Sequence, residues 1–280
     1  MDVKIITDST ADIPQKRCAE LGVECLPLTV RFGDKEYKDG VDLTAPQFFE
    51  MLSKSDKLPT TAQVNPERFA QVFSPYAKSG QEVVGIFISS RLSGTYQSAG
   101  IGKNLLGAQN IHLVDSETVT FGLALMVFEA VRMRDAGYSA KQICEALEAL
   151  KPRIRFYAAF DTLKYLKLGG RLSASSAFVG TMLHIKPIIS MKDGEMIAPD
   201  RKKGMRAAIE KIGTLIQRDK PDTEHPIVFG ETSAPQVLSL LKETVAASAD
   251  ISGSETIDIG PVVGTYAGPG CAGLAYIAAG

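Results

Sequence analysis

The densest set of groups able to hold a ligand lies in Ile86-Phe87-Ile88-Ser89-Ser90-Arg91-Leu92-Ser93-Gly94-Thr95-Tyr96-Gln97-Ser98-Ala99. An apolar run of strand character delivers the chain into a hydroxyl-rich turn, and Ser93-Gly94-Thr95 then opens a helix. A helix start presents free N–H groups and the positive end of the dipole, so it suits an anion. Gly94 lets a ligand approach the backbone closely. In an open α/β sheet ligands sit beyond the carboxyl ends of the strands, where this loop must lie. The plainer reading of Ser93 is that it caps its own helix. Two more segments carry hydroxyls toward the same sheet edge: Pro59-Thr60-Thr61-Ala62-Gln63, read as a loop before a helix at Pro66, and Asp8-Ser9-Thr10 after the first strand. Three such loops make a neutral hydrogen-bonding site.

Catalysis asks for more than hydroxyls. A serine nucleophile needs a base and an orienting group, and Ser93 lacks the G-x-S-x-G context. His112, His184 and His225 are the only histidines, and none falls in a loop expected beside Ser93. His112 reads as a core or edge residue. The P-loop pattern is absent, Gly169-Gly170-Arg171 is a turn with a useful cation, and no metal-ligand cluster occurs. The sequence calls for no cofactor.

The elements that must position these groups follow from pattern. Val3–Thr7 is a β-branched run, Pro14 opens a helix, and Val23–Phe32 reads as one strand that Gly33-Asp34 turns back. Thr44 precedes a helix with Phe48, Phe49 and Leu52 on one face. A helix over Pro66–Lys78, strands at Val83–Ser89 and Ile111–Asp115, and helices over Val119–Asp135 and Ala140–Leu150 complete an alternating first half, the signature of a parallel sheet flanked by helices. From Pro152 the pattern changes. Strands are expected at Arg155–Asp161, at Lys186–Met191 and Glu195–Pro199 around the Asp193-Gly194 hairpin turn, and at Ile227–Glu231, Glu255–Ile259 and Gly273–Ala278. Helices are expected over Gly204–Gln217 and Gln236–Ala246, and Gly260–Gly270 reads as a small-residue loop.

At 280 residues the chain is long for one core, so two α/β lobes are expected, 1–150 with a mostly parallel sheet and 151–280 with a mixed one. With 45% hydrophobic and 22% charged residues there is ample material for a core. A net charge of −1 gives no field that would draw nucleic acid. The start MDVKIITDST has no basic leader or cleavage site. The apolar stretch Phe121–Phe128 ends at Glu129, well short of the roughly 20 residues a membrane span needs. Cys18, Cys25, Cys144 and Cys271 are scattered, with no metal or redox spacing. By elimination these features point to the cytoplasm.

Several segments together resemble the DegV family of bacterial fatty-acid-binding proteins. They are Asp8-Ser9-Thr10-Ala11-Asp12-Ile13-Pro14, Thr60-Thr61-Ala62-Gln63, Ser93-Gly94-Thr95-Tyr96-Gln97-Ser98-Ala99, Leu163-Lys164-Tyr165-Leu166-Lys167-Leu168-Gly169-Gly170-Arg171-Leu172-Ser173, and Gly264-Thr265 followed by Gly268-Pro269-Gly270. The match runs in order over residues 3–280. The resemblance implies two α/β lobes with the acyl chain of a long-chain fatty acid, such as palmitate, buried between them. It also implies that the bound acid is presented to a fatty acid kinase, as in some members. Its carboxylate-binding threonine and serine fall on Thr61 and Ser93, with Gly94 and Thr95 bordering the site. Where the family usually has His after Gly-Thr, this chain has Tyr266. A neutral phenol there is expected to donate to the head group and to leave binding insensitive to mild pH change, since an unperturbed phenol titrates near about 10 and an imidazole near about 6.5.

The expectation is therefore a non-enzymatic fatty acid carrier. The alternatives are a hydrolase or acyltransferase using Ser93, and an interaction module with Arg201, Lys202, Lys203 and Arg206 as a basic docking face. The plainer reading of that basic cluster is a solvated helix start.

Overall fold

The computed structural model describes residues 3–173 and 184–280. Strand β1 (Lys4–Asp8) runs into a short turn in which Asp8 accepts the Thr10 amide, and α1 (Gln15–Glu20) starts after Pro14. β2 (Val23–Leu26) ends at Pro27, and β3 (Thr29–Phe32) lies in a different sheet. The single strand expected over 23–32 is thus two. Pro27 has no N–H for the ladder, so the chain leaves one sheet there and joins another. β3 turns at Gly33-Asp34 into β4 (Lys35–Lys38). In α2 (Ala45–Ser53) the Gln47 side chain accepts the Thr44 amide at 3.0 Å, and Phe48, Phe49 and Leu52 are buried as their spacing requires. Thr60–Ala62, read as a loop, is a short strand, β5, paired antiparallel with β3.

The remaining elements of the first half are α3 (Pro66–Ser79), β6 (Val83–Phe87), α4 (Thr95–Leu106), β7 (Ile111–Asp115), α5 (Phe121–Asp135) and α6 (Ala140–Leu150). β2-β1-β6-β7 form a wholly parallel sheet, and β4-β3-β5 an antiparallel one. After residue 150 come β8 (Ile154–Ala159), α7 (Lys164–Leu168), β9 (Ile185–Lys192), β10 (Glu195–Lys203), α8 (Met205–Arg218), β11 (Val228–Thr232), α9 (Pro235–Ala246), β12 (Glu255–Asp258), α10 (Pro261–Ala267) and β13 (Cys271–Ile277). The sheet order is β10-β9-β8-β13-β11-β12, antiparallel except for β11 with β12. Asp193 and Gly194, at φ 49° and 78°, make the β9–β10 turn with both central residues left-handed, the geometry that suits the twist of a two-residue hairpin.

Two features position the site. α5 is apolar on nearly every face because it packs on β1 and β6 and also on β11 and β13, so a helix that faces sheets on two sides has no solvent stripe to paint polar. No described helix is long and apolar enough to cross a membrane. The segment Gly260–Gly270 is not a loop: Pro261–Ala267 is α10. Pro261 suits the first helical position, and Gly264 lets the helix lie against Phe48 and Phe49, where a Cβ would stand 2.8 and 3.0 Å from their rings. Its seven residues are too few for a helical period to show in sequence.

Candidate functional site

One cavity is walled by both large sheets and by α5 and α10. Its apolar wall includes Leu28, Ile88 and Val119 from the first half, and Phe156, Ala158, Met196 and Val263 from the second. Phe121, at the start of α5, stacks on Phe156 with ring centroids 4.3 Å apart. The Phe121 ring rests on glycines: a Cβ at Gly230 or Gly273 would stand 2.8 or 2.7 Å from it.

The polar groups are few. Thr61 on β5 and Tyr266 on α10 share a 2.6 Å hydrogen bond between hydroxyls. Ser93 accepts the Thr95 amide at 3.3 Å, and its hydroxyl meets that of Thr95 at 2.9 Å. Thr95 itself is fully buried behind it. Arg171, after α7, donates to the Gly169 carbonyl at 2.7 Å and the Leu92 carbonyl at 3.3 Å. Its guanidinium lies 4.6 Å from the Tyr266 ring centroid, a distance at which the ring face attracts a cation. Gly169 has no side chain because the Tyr266 ring occupies that space. Gln63 also lines the cavity and donates to Ser98 at 2.8 Å.

Thr61, Ser93, Gly94 and Tyr266 all line this cavity. One expectation needs correction: the space opposite Gly94 is filled by the Gln63 side chain rather than left open to a ligand. Thr95 borders the site from behind Ser93, outside the cavity lining. Of the third hydroxyl segment, Thr10 lines the cavity with its hydroxyl donating to Asp8, and Ser9 donates to Asp39. Arg171 and Gln63 stand within the family motifs, but their residue types alone give neither a place in the site. The signal for Arg171 was its charge in a Gly-Gly turn, which says nothing of direction until α10 is placed.

Arg171 is the one charged side chain among the described cavity residues, and no histidine or carboxylate lines it. His112 pairs with Glu82 at 2.6 Å, and His225 with the buried Glu129 at 3.0 Å. Among the described residues Ser93 hydrogen-bonds to Thr95 and to no base. Burial pushes the Cys271 thiol far up, so this cavity-lining sulfur is a neutral thiol. Arg201, Lys202 and Lys203 close β10 and Arg206 opens α8; none of them lines the cavity, and Lys202 pairs with Asp200 at 3.4 Å. Such a site can hold an anion at one end and an apolar body beyond it.

Comparison with known proteins agrees with the architecture. A sequence profile described as an uncharacterised protein of the DegV family matches residues 2–279. A DegV domain-containing protein of Caldanaerobacter subterraneus subsp. tengcongensis is 34% identical over 275 residues, covering 98% of each chain. Among solved structures, a DegV family protein of Thermus thermophilus described by its fatty acid binding superposes with a TM-score of 0.90 at 29% identity, covering 99% of this chain and 100% of the other. A stearic acid-binding protein of Eubacterium ventriosum superposes with a TM-score of 0.86 at 27% identity, covering 99% and 98%.

Proposed function

This chain belongs to the DegV family, and from that premise we propose that it binds a long-chain fatty acid of about palmitate size and performs no chemistry on it. The observation that carries the reading is the cavity itself: among the described residues it has hydroxyls and one guanidinium as polar groups, an apolar remainder, and no base beside Ser93. Thr61, Ser93 and Tyr266 supply donors for one carboxylate, and Arg171 supplies the countercharge. Charge-assisted hydrogen bonds of this kind are roughly twice as strong as neutral ones. The acyl chain then contributes about 0.8 kcal/mol for each buried CH₂. The structures of Thermus thermophilus and Eubacterium ventriosum described by their fatty acid binding support the same assignment.

The test is mass spectrometry of lipid extracted from the purified protein, with titration of added palmitate. An extract free of acyl lipid, together with no uptake of palmitate or oleate, overturns the reading. Ser93 should stay unlabelled by a fluorophosphonate probe, whereas a hydrolase or acyltransferase would be labelled. Presentation of the acid to a fatty acid kinase is a further part of the proposal, tested by ATP-dependent acyl phosphate formation on adding such a kinase.

The Thr61–Tyr266 contact gives a sharper prediction. Tyr266→Phe and Thr61→Ala each remove one partner, and each is expected to weaken palmitate binding by about 1 kcal/mol. Because the two hydroxyls touch at 2.6 Å, the double variant should lose about 0.5–1 kcal/mol less than the sum. Strict additivity in the calorimetric cycle would mean that the pair does not act on the ligand as one unit. Tyr266→His should tighten binding on the acid side of neutrality beyond any response of the native protein, because imidazolium can pair with the carboxylate.

A further inference from the structure

Behind the cavity stand three buried carboxyls that fatty acid binding leaves unexplained: Asp8 and Asp12 of the N-terminal motif, and Asp39. Asp8 is satisfied, accepting the amides of Thr10 and Ile88 at 2.9 Å each and the Thr10 hydroxyl. Asp12 and Asp39 are not. One oxygen of Asp12 accepts the Gly260 amide at 2.9 Å, and one of Asp39 accepts the Ser9 hydroxyl at 2.8 Å. The other oxygen of each is buried without a closely aligned donor, the Thr120 hydroxyl bearing on Asp12 and the Val262 amide on Asp39 as weaker partners. Both carboxyls crowd one point, since a Cβ at Gly260 would stand 3.0 Å from each. Gly260 immediately precedes α10, and the Val262 amide of that helix faces Asp39.

The surroundings hold no countercharge. Asp8 from β1, the Thr120 hydroxyl from the start of α5, the Cys25 thiol from β2 and the backbone of α10 face the pair. α10 carries no charged side chain, and Asp258 of β12 is exposed nearby. Among the described residues, neither Asp12 nor Asp39 forms a salt bridge and no cation acts on either.

We propose that Asp12 and Asp39 form a protonation-dependent clasp on the N-terminal end of α10, which holds Tyr266 against Thr61 and makes fatty acid affinity fall as pH rises. The inference rests on the fatty acid reading above. Burial, reinforced by the charge of Asp39, drives the Asp12 carboxyl well above the usual range, and burial raises Asp39 from 3.8 to about 7. A carboxyl whose pKa is raised in the closed arrangement favours that arrangement while protonated, and the advantage is lost as pH climbs through the raised value. Two buried like charges without a cation then favour any movement of α10 that admits water. Among the described residues no imidazole or carboxylate lines the cavity, so a response near neutrality comes from behind α10. The expectation that binding ignores mild pH change is thereby confined to the head-group donors.

The experiment compares palmitate affinity at about pH 6 and about pH 8.5 for the native protein, Asp39→Asn and Asp12→Asn. The amide is an uncharged stand-in for the protonated carboxyl, and the ligand's own titration cancels between proteins. The native protein should bind about tenfold more weakly at the higher pH, a one-unit linkage effect; Asp39→Asn should change less than about twofold, and Asp12→Asn, which keeps the buried Asp39, by an intermediate amount. Should one variant fail to fold, the other still tests the clasp by responding less than the native protein. An equal pH response in all three proteins overturns the clasp. If none binds palmitate at either pH, the fatty acid reading fails, and the clasp is judged on the unliganded proteins instead. There the thermal midpoint of the native protein should drop by about 3 °C or more relative to Asp39→Asn over the same interval, and parallel midpoints overturn it.

Discussion

Arg171→Gln is expected to weaken palmitate binding by about 2–3 kcal/mol, roughly 30- to 150-fold, with little change in the stability of the unliganded protein. Arg171 is the only cation among the described cavity residues, and its guanidinium is already oriented. Two backbone carbonyls, of Gly169 and Leu92, accept from it, and the Tyr266 ring lies under it. The ligand therefore meets a fixed charge and need not order a flexible side chain, which is where binding energy is otherwise lost. Arg171→Lys should restore only part of the affinity, because an ammonium cannot both hold the two carbonyls in a planar fork and stack on the ring. Calorimetric titration of the three proteins with one fatty acid decides the matter. Native-like affinity in Arg171→Gln would put the carboxylate elsewhere in the cavity.

Phe121→Ala carries the largest expected cost to the fold. Phe121 is 1% exposed, stacks on Phe156, and fills space that Gly230 and Gly273 leave open on two adjacent strands. Truncating a buried aromatic ring of this kind costs about 3–5 kcal/mol. The loss should be smaller for the liganded protein, because the vacated space joins the cavity and an acyl chain can enter it. A longer or kinked chain should gain on palmitate in this variant, since it can fill more of the void. Denaturant unfolding with and without palmitate and oleate provides the check. Equal destabilisation with and without every ligand would show that the ring supports the core without bounding the ligand.

The placement of Phe121 depends on a local conformation that no pattern in the sequence announces. Thr120 precedes it at φ 46°, ψ −126°, a costly backbone state for a β-branched residue. The turn lets α5 begin against the second sheet while its preceding strand ends in the first. Such a state persists because packing on both sides over-determines it.

What the sequence determined by itself is what short-range physics controls. The spacing of Phe48, Phe49 and Leu52 placed α2, and the left-handed preference of Asp193-Gly194 placed the β9–β10 hairpin. The alternation of strand and helix in the first half implied the parallel sheet. The hydroxyls of Thr61 and Ser93, and Tyr266 beside them, could be nominated from motif order alone. The tertiary structure decided the rest, because the deciding contacts join residues far apart in the chain. Pro27 divided one apolar run between two sheets, a choice visible only once both sheets exist. A segment of glycines and small residues became α10 because Phe48 and Phe49 offered a surface that only Gly264 can approach closely. Placing that helix brought Tyr266 to Thr61, 205 positions away, and beneath Arg171. It also brought Gly260 to Asp12, 248 positions away, beside the buried Asp39. Burial and charge proximity are properties of the assembled fold, so the acidic pair and the direction of Arg171 could not be read before it.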